Sequence, residues 1–216
     1  MDFGKAFTYV FEDPDWIKKV LLAAVFSLIP IVGSFVSLGW AMEVGQHVIR
    51  QDAQVLPEVD FGRHLGFGFK VFLIALVYAI PLIIFYVPII VLTTMAGQSD
   101  TIDTVITIAG LCCGGLMLLY GLLLLVVLPA AMGNFLATDL MGAAFRFGEV
   151  FGLLRAAPGA YLMVLLGGLA AGFIGSLGSI ACLIGVLATA AYASAVMGHL
   201  YGQAYRAAIA NGAKVS

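Results

Sequence analysis

Apolar and polar residues along this chain are separated into long blocks rather than short alternating runs. Four stretches contain no Asp, Glu, Lys or Arg: Val20–Met42, Val71–Ser99, Thr104–Thr138 and the segment from Ala156 up to, but not including, Arg206. A helix that crosses a bilayer needs about 20 mostly apolar residues. The pattern therefore predicts an all-α integral membrane protein, with the number of crossings to be argued stretch by stretch.

Three of the four stretches divide readily into helices. Val71–Ala96 and Val105–Ala131 each predict one long helix, joined by a polar connection. The last stretch is long enough for two helices, with a turn at the Gly-Ser-Leu-Gly-Ser sequence of residues 175–179. These segments predict two helical hairpins.

The first stretch has two interpretations. Asp13-Pro14 is a strong helix start, since proline is favoured at the first helical position. Pro30 and Gly33 then interrupt the helix halfway. With 37 residues from Pro14 to Arg50, the stretch predicts either one long kinked span or a short hairpin.

The distribution of positive charge favours the hairpin. The basic residues are Lys5, Lys18, Lys19, Arg50, Arg63, Lys70, Arg146, Arg155, Arg206 and Lys214. If every stretch is a hairpin, all ten lie on one side, and the opposite turns carry only Asp100 and Asp103. Because basic residues stay cytoplasmic, the sequence predicts six transmembrane helices as three hairpins, with both termini cytoplasmic.

A Phe-Gly motif precedes each predicted hairpin. It consists of a charged residue, Phe-Gly and a second charged residue, and it begins at Asp2, Asp60 and Arg146. Apolar residues share one helical face after each copy: Phe3, Phe7, Val10 and Phe11; Phe61, Leu65, Phe69 and Phe72; Phe147, Val150, Phe151 and Leu154. This pattern is typical of a short amphipathic helix in the membrane interface. The alternative is an ordinary first turn of a longer span, especially for the second copy.

The three copies predict three diverged repeats, at residues 2–51, 60–138 and 146–206. A short tail, 207–216, follows within one membrane domain of residues 1–216. The first and third repeats share further landmarks, such as Gly45-Gln46 and Gly202-Gln203.

Composition gives the same class of protein. The chain is 62% hydrophobic and 10% charged, with a mean hydropathy of +1.10, whereas about a quarter of the residues of a soluble domain are charged. So few charges cannot cover a water-exposed globule, so lipid is the expected solvent and partner. No basic run indicates nucleic acid as a partner.

Several segments resemble one known family. They are MDFGKAFTYVFEDPDWIKKVLL at the start, Ser-Leu-Ile-Pro-Ile-Val-Gly at 27–33, Leu56-Pro57-Glu58, and Gly-His-Leu-Tyr-Gly-Gln-Ala-Tyr-Arg at 198–206. They are similar to an uncharacterised prokaryotic family of multi-pass membrane proteins, catalogued as a domain of unknown function. The resemblance implies a prokaryotic plasma membrane location and brings no activity, cofactor or catalytic residue.

The apolar stretches lack the groups that catalysis or ion coupling needs. No Asp, Glu, Lys, Arg or His lies deep in a predicted span, and such residues normally mark proton relays and ion paths. The spans also hold no carboxylate pair, His-Glu metal set or activated serine, and the glycines lack the context of a phosphate-binding loop. We expect neither an enzyme nor a bound cofactor or metal.

One group of polar residues is a candidate functional site. It comprises the polar residues at the cytoplasmic ends of the second and sixth predicted spans: Glu43, Gln46, His47, Arg50, His199, Gln203 and Arg206. If the first and third repeats lie side by side, these residues form a pocket in which Glu43 pairs with Arg206. The alternative is two separate helix ends among lipid headgroups.

Small residues at four-residue spacing predict close helix packing. The candidate packing positions are Gly110, Gly114, Gly168, Gly172, Ser194, Gly198 and Gly202. They serve packing within the chain or a lateral interface with other integral membrane subunits or a second copy.

Two functions follow as hypotheses. The first is a non-catalytic structural or accessory protein that packs against a larger membrane complex or lipid. The alternative is a carrier or channel for a neutral or lipidic substrate, with its pocket between the repeats.

Overall fold

The computed structural model describes residues 1–215, except for the side chains of residues 181–184. Over that range the chain is helical and contains no β-strand, which confirms the all-helical prediction. The α-helices are α1 (Phe3–Thr8), α2 (Trp16–Phe26), α3 (Val32–Arg50), α4 (Phe61–Thr93), α5 (Asp100–Thr138), α6 (Phe147–Ala156), α7 (Pro158–Leu177) and α8 (Cys182–Ala210). Short 3₁₀ turns occur at Tyr9–Glu12, Met141–Phe145 and Gly178–Ala181.

The Phe-Gly motif is the start of a helix in all three places. Its phenylalanine is the first residue of α1, α4 and α6. In the first two copies the preceding aspartate caps the helix. The Asp2 carboxylate accepts from the Lys5 backbone N–H at 2.9 Å, and Asp60 accepts from that of Arg63 at 2.7 Å. In the third copy Arg146 makes no side-chain cap to α6.

The second copy does not form the separate interfacial helix that the sequence predicts. α6 ends at Ala156, just before Pro158, which cannot continue a preceding helix. α1 ends at Thr8 and passes into the 3₁₀ turn Tyr9–Glu12, which precedes Pro14. No proline lies between Phe61 and Val71. The segment after the second motif therefore continues directly into the long helix α4.

α2 differs from the predicted full crossing. Its 11 residues rise about 16 Å, roughly half of an apolar bilayer core of about 30 Å. α2 lies beside the loop that joins α3 to α4 and beside the first residue of α4. Lys19 donates to the Leu56 carbonyl at 3.1 Å, and the rings of Phe26 and Phe61 are 5.4 Å apart. α2 and α3 therefore form a short hairpin.

The tip of this hairpin is apolar and exposed. It spans Leu28 to Val32, and every side chain in it is hydrophobic or proline. Ile31 is 74% exposed and has a φ of 65°, which L residues rarely adopt. The polar Gly97-to-Asp100 connection between α4 and α5 contrasts with this tip.

α3 is the central helix and packs between α4 and α8. Glycines allow both contacts. A Cβ on Gly68 of α4 would lie 1.8 Å from the Phe35 carbonyl oxygen, and one on Gly198 would lie 1.9 Å from that of Ala41. Any larger residue would force the backbones apart, so these two glycines allow α4 and α8 to approach α3 closely.

α4 and α5 form the longest pair. Their 33 and 39 residues rise about 50 and 58 Å. Within the described residues, three segments are long and apolar enough to cross a membrane, by length and composition: Phe61–Thr93, Asp100–Thr138 and Pro158–Ile180.

Candidate functional site at the charged end of the bundle

Most charged side chains meet where the N-terminal segment, the α3–α4 loop and the last turns of α8 come together. We call this region the charged end. Its first cluster surrounds Lys19, whose side chain is only 1% exposed. The ammonium donates to Asp13 at 2.7 Å and to the Leu56 carbonyl at 3.1 Å, and it lies 3.1 Å from Glu58. A buried lysine is tolerated because all three of its N–H groups have acceptors.

Asp13 is the buried partner of that lysine. Its carboxylate also accepts from the Asp15 backbone N–H at 2.9 Å and from the Gln54 amide at 3.3 Å. Burial raises the pKa of Asp13, but the hydrogen bonds from Lys19, Asp15 and Gln54 outweigh it and hold the pKa below its ordinary value. The carboxylate is therefore stabilised in its charged form.

The same contacts fasten the loop between α3 and α4 over the bundle. Leu56 is buried, the Trp40 indole N–H donates to the Pro57 carbonyl at 3.0 Å, and His47 Nδ1 lies 3.2 Å from the Val55 carbonyl oxygen. This loop is thus an ordered part of the charged end.

A second cluster surrounds Glu43 on α3. Its carboxylate accepts from His64 Nε2 and lies 2.6 Å from the Arg63 guanidinium and 3.6 Å from His47 Nε2. The Asp60 backbone N–H donates to His64 Nδ1 at 3.0 Å, so the His64 proton is on Nε2, facing Glu43. The fully buried His64 therefore links α3 to the start of α4.

The predicted pairing of Glu43 with Arg206 is wrong. Glu43 binds Arg63 and His64 of α4, the last residue of the second Phe-Gly motif and the residue after it. Arg206 lies exposed on α8 instead. Arg63 was predicted as part of the motif and as a positive charge, but nothing local links it to a residue twenty positions earlier.

A third cluster joins α8 to the N-terminus. The Gln203 side chain accepts from the Asp2 backbone N–H at 2.7 Å and donates to the Asp2 carbonyl at 2.9 Å. Its amide nitrogen also lies 3.1 Å from His199 Nδ1. His199 is 3% exposed, and its ring stacks on Tyr9 with centroids 4.3 Å apart.

A cavity of about 490 Å³ opens between these clusters. Its polar side chains come from Asp2, Lys5, His47, Gln51, Asp52, His199, Gln203 and Arg206. Four of the seven predicted site residues thus line one cavity, on α3 and α8. Glu43 lies one helical turn from His47, Gln46 is buried within α3, and Arg50 is exposed at its end.

The predicted packing positions fall into two groups. A Cβ at Gly202 would lie 2.6 Å from the Gly45 carbonyl oxygen, and Gly198 also packs closely against α3, with a Cβ 1.9 Å from the Ala41 carbonyl oxygen. Gly168 of α7 faces Met197 of α8. Ser194 is half-buried. Among the described residues, nothing lies within 4 Å of a Cβ at Gly110, Gly114 or Gly172.

The buried pair of Asp13 and Lys19 was not predicted from the sequence. A lysine six residues after an acidic N-terminal turn has no periodic signature, and only its neighbour Lys18 is exposed as a basic interfacial residue should be. The described side chains include no group of three His, Cys, Asp or Glu that could hold a metal ion.

The described chain is all-helical, and three of its segments are long and apolar enough to span a membrane. The chain belongs to the family described as "Protein of unknown function (DUF4013)", which matches residues 22–196. The match runs from α2 into α8. No curated protein and no solved structure matches the chain.

Proposed function

We propose that this protein is a non-catalytic, multi-pass protein of the prokaryotic plasma membrane that serves as a structural or accessory subunit. Its partners are lipids and other integral membrane subunits or a second copy. The observation that carries the proposal is the outer part of the α4–α5 pair, residues 79–126, in which no residue is buried and many large apolar side chains are exposed.

The proposed topology has four crossings, by α4, α5, α7 and α8, with both termini cytoplasmic. The sequence predicted six. The α2–α3 hairpin is short and apolar at its tip, so we place it as a re-entrant hairpin that returns to the cytoplasmic side. This change leaves the charge argument intact, because Lys18, Lys19 and Arg50 stay on the same side as the other basic residues.

Lateral association is supported by the surface of α5. Three leucines of α5 are largely exposed: Leu111 (74%), Leu118 (64%) and Leu119 (65%). Gly114 lies between them in sequence, and a Cβ added to it would have no atom from elsewhere in the described chain within 4 Å. Small residues allow close helix approach in lipid, where burial of apolar surface no longer drives association. A partner helix fits this face without any change in the fold.

Purification in mild detergent tests the proposal. We expect a stoichiometric complex, either with another membrane protein or with a second copy, that Gly114→Leu disrupts. Gly115→Leu is the matched control, since it adds the same bulk one position round the helix, also in open space. A lone monomer for the unaltered protein, or equal effects of both variants, would contradict the accessory function.

An apolar groove favours the alternative, a carrier for a neutral or lipidic substrate. The groove is about 330 Å³ and lies between α5, α7 and α8. Leu128, Val164, Gly168 and Met197 line it, with Tyr201 as its main polar group. Reconstituted protein that moves a headgroup-labelled lipid between leaflets faster than protein-free vesicles do would favour this function over the first.

A further inference from the structure

The cavity at the charged end is lined by the buried His199, and its hydrogen bonds identify the ring nitrogen that carries the proton. Gln203 holds the Asp2 backbone with both ends of its amide, so its oxygen and nitrogen cannot be exchanged. Its nitrogen therefore donates to His199 Nδ1, which must be the unprotonated nitrogen. The His199 proton lies on Nε2.

That Nε2–H has no acceptor among the described residues, although His199 is 97% buried and lines the cavity. The His199 Nε2–H is therefore available as a hydrogen-bond donor to a ligand in the cavity.

Arg206 provides positive charge on the same face. It follows His199 by seven residues, two helical turns, and helical side chains lean towards the N-terminus of their helix, here towards His199. The guanidinium has no ion pair among the described residues and lines the same cavity. A guanidinium fork suits the geometry of a phosphate or carboxylate.

The acidic residues of the cavity already have partners. The Asp2 carboxylate caps α1 through the Lys5 backbone N–H, and Asp52 lies 3.9 Å from His47 Nε2. The Lys5 ammonium pairs with Glu12 at 2.6 Å. The Asp2 and Asp52 carboxylates thus each have one such contact, whereas the Arg206 guanidinium and the His199 Nε2–H have none in the described chain, so an acceptor-rich ligand would satisfy these two donors.

We propose that this cavity binds a phosphate oxyanion, held by the Arg206 guanidinium and the His199 Nε2–H. The phosphate belongs to the headgroup of an anionic lipid or to a free phosphate ester. A volume of about 490 Å³ falls in the range of small-molecule sites. The proposal goes beyond the accessory function and does not depend on it.

Binding to the detergent-purified full chain tests the site. Inorganic phosphate and short-chain phosphatidylglycerol are titrated separately, with phosphatidylcholine of the same chain length as the lipid control, and thermal stabilisation is followed. We expect saturable stabilisation by at least one of the first two probes. Arg206→Gln should raise its dissociation constant about tenfold, the loss expected for a charge-assisted hydrogen bond.

Arg155→Gln is the matched control, because it removes a charge that is also exposed but lies outside the cavity. His199→Phe keeps a ring to stack on Tyr9 but removes the donor, and it should weaken binding similarly. Stabilisation by phosphate indicates a free ester, and stabilisation by phosphatidylglycerol alone indicates a lipid headgroup. Absence of saturable binding, or equal weakening by Arg206→Gln and Arg155→Gln, would overturn the proposal.

Discussion

The Gln203 side chain makes two hydrogen bonds to the backbone of Asp2, 201 positions away in sequence, at 2.7 and 2.9 Å. These bonds attach the N-terminal segment to α8. They also orient the amide that sets the protonation of His199. The start and the last helix of the chain are therefore parts of one structure at the charged end.

Gln203→Ala should loosen the N-terminal segment. Each lost hydrogen bond contributes about 0.5–1.5 kcal/mol, so we expect faster limited proteolysis within residues 1–12 and a modest loss of thermal stability in detergent. Gln98→Ala is the control, since Gln98 lies in the exposed α4–α5 connection. An N-terminus as resistant as that of the unaltered protein would mean that the aromatic contacts of Phe7 and Tyr9 hold it instead.

Lys19→Met should be among the most destabilising single changes at the charged end. It leaves the buried Asp13 carboxylate without its cation, and breaking a buried ion pair typically costs about 3–5 kcal/mol. Lys18→Met, one position away and exposed, should stay within about 0.5 kcal/mol. Thermal unfolding in detergent measures both. Equal effects of the two would show that Lys19 is not buried as described.

Asp13 also predicts a pH dependence. Its pKa is lower in the folded than in the unfolded chain, so the stability it contributes is present above the unfolded value of about 3.9. That contribution is lost as the pH falls through the lower, folded pKa. Stability measured from pH 6 downwards should therefore decline less steeply below about pH 4 in Asp13→Asn than in the unaltered protein. Parallel declines would count against the Asp13–Lys19 pair.

A double-mutant cycle distinguishes the observed partner of Glu43 from the predicted one. Glu43→Gln and Arg63→Gln should be non-additive, because the two side chains are 2.6 Å apart. Since the Arg63 side chain is 55% exposed, the coupling should be modest, about 1 kcal/mol or less. Glu43→Gln and Arg206→Gln should be additive. The reverse result would restore the pairing predicted from the sequence.

Local features of this fold could be predicted from the sequence, and distant pairings could not. The Phe-Gly motif marks a helix start in all three copies, and in the first two an aspartate caps the helix within three residues. The apolar stretches predict the long helices because a span needs about 20 apolar residues. The close packing at Gly198 and Gly202 was predicted from their four-residue spacing. The partner of Glu43 could not be predicted, since any of several basic residues could pair with its carboxylate.

The α2–α3 hairpin and its break were predicted from the sequence: Pro30 and Gly33 mark the interruption, and Ser27 to Ile31 form a turn there that leaves α2 with 11 residues. The six-span prediction counted both helices as crossings, although the 37 residues from Pro14 to Arg50 are slightly short for two. Hydropathy records which residues prefer lipid. It does not distinguish a hairpin that crosses the bilayer from one that enters and returns on the same side, because both have apolar sides and basic ends.

Cysteine labelling of the hairpin tip tests the proposed topology most directly. Single cysteines replace Ile29, Ser99 or Ser176 in a cysteine-free protein, and intact cells are treated with a membrane-impermeant thiol reagent. We predict labelling from outside at Ser99 and Ser176, which lie at the far ends of the two spanning pairs, and none at Ile29. Labelling at Ile29 as strong as at Ser99 would show that the first hairpin crosses the membrane, contradicting the four-span arrangement.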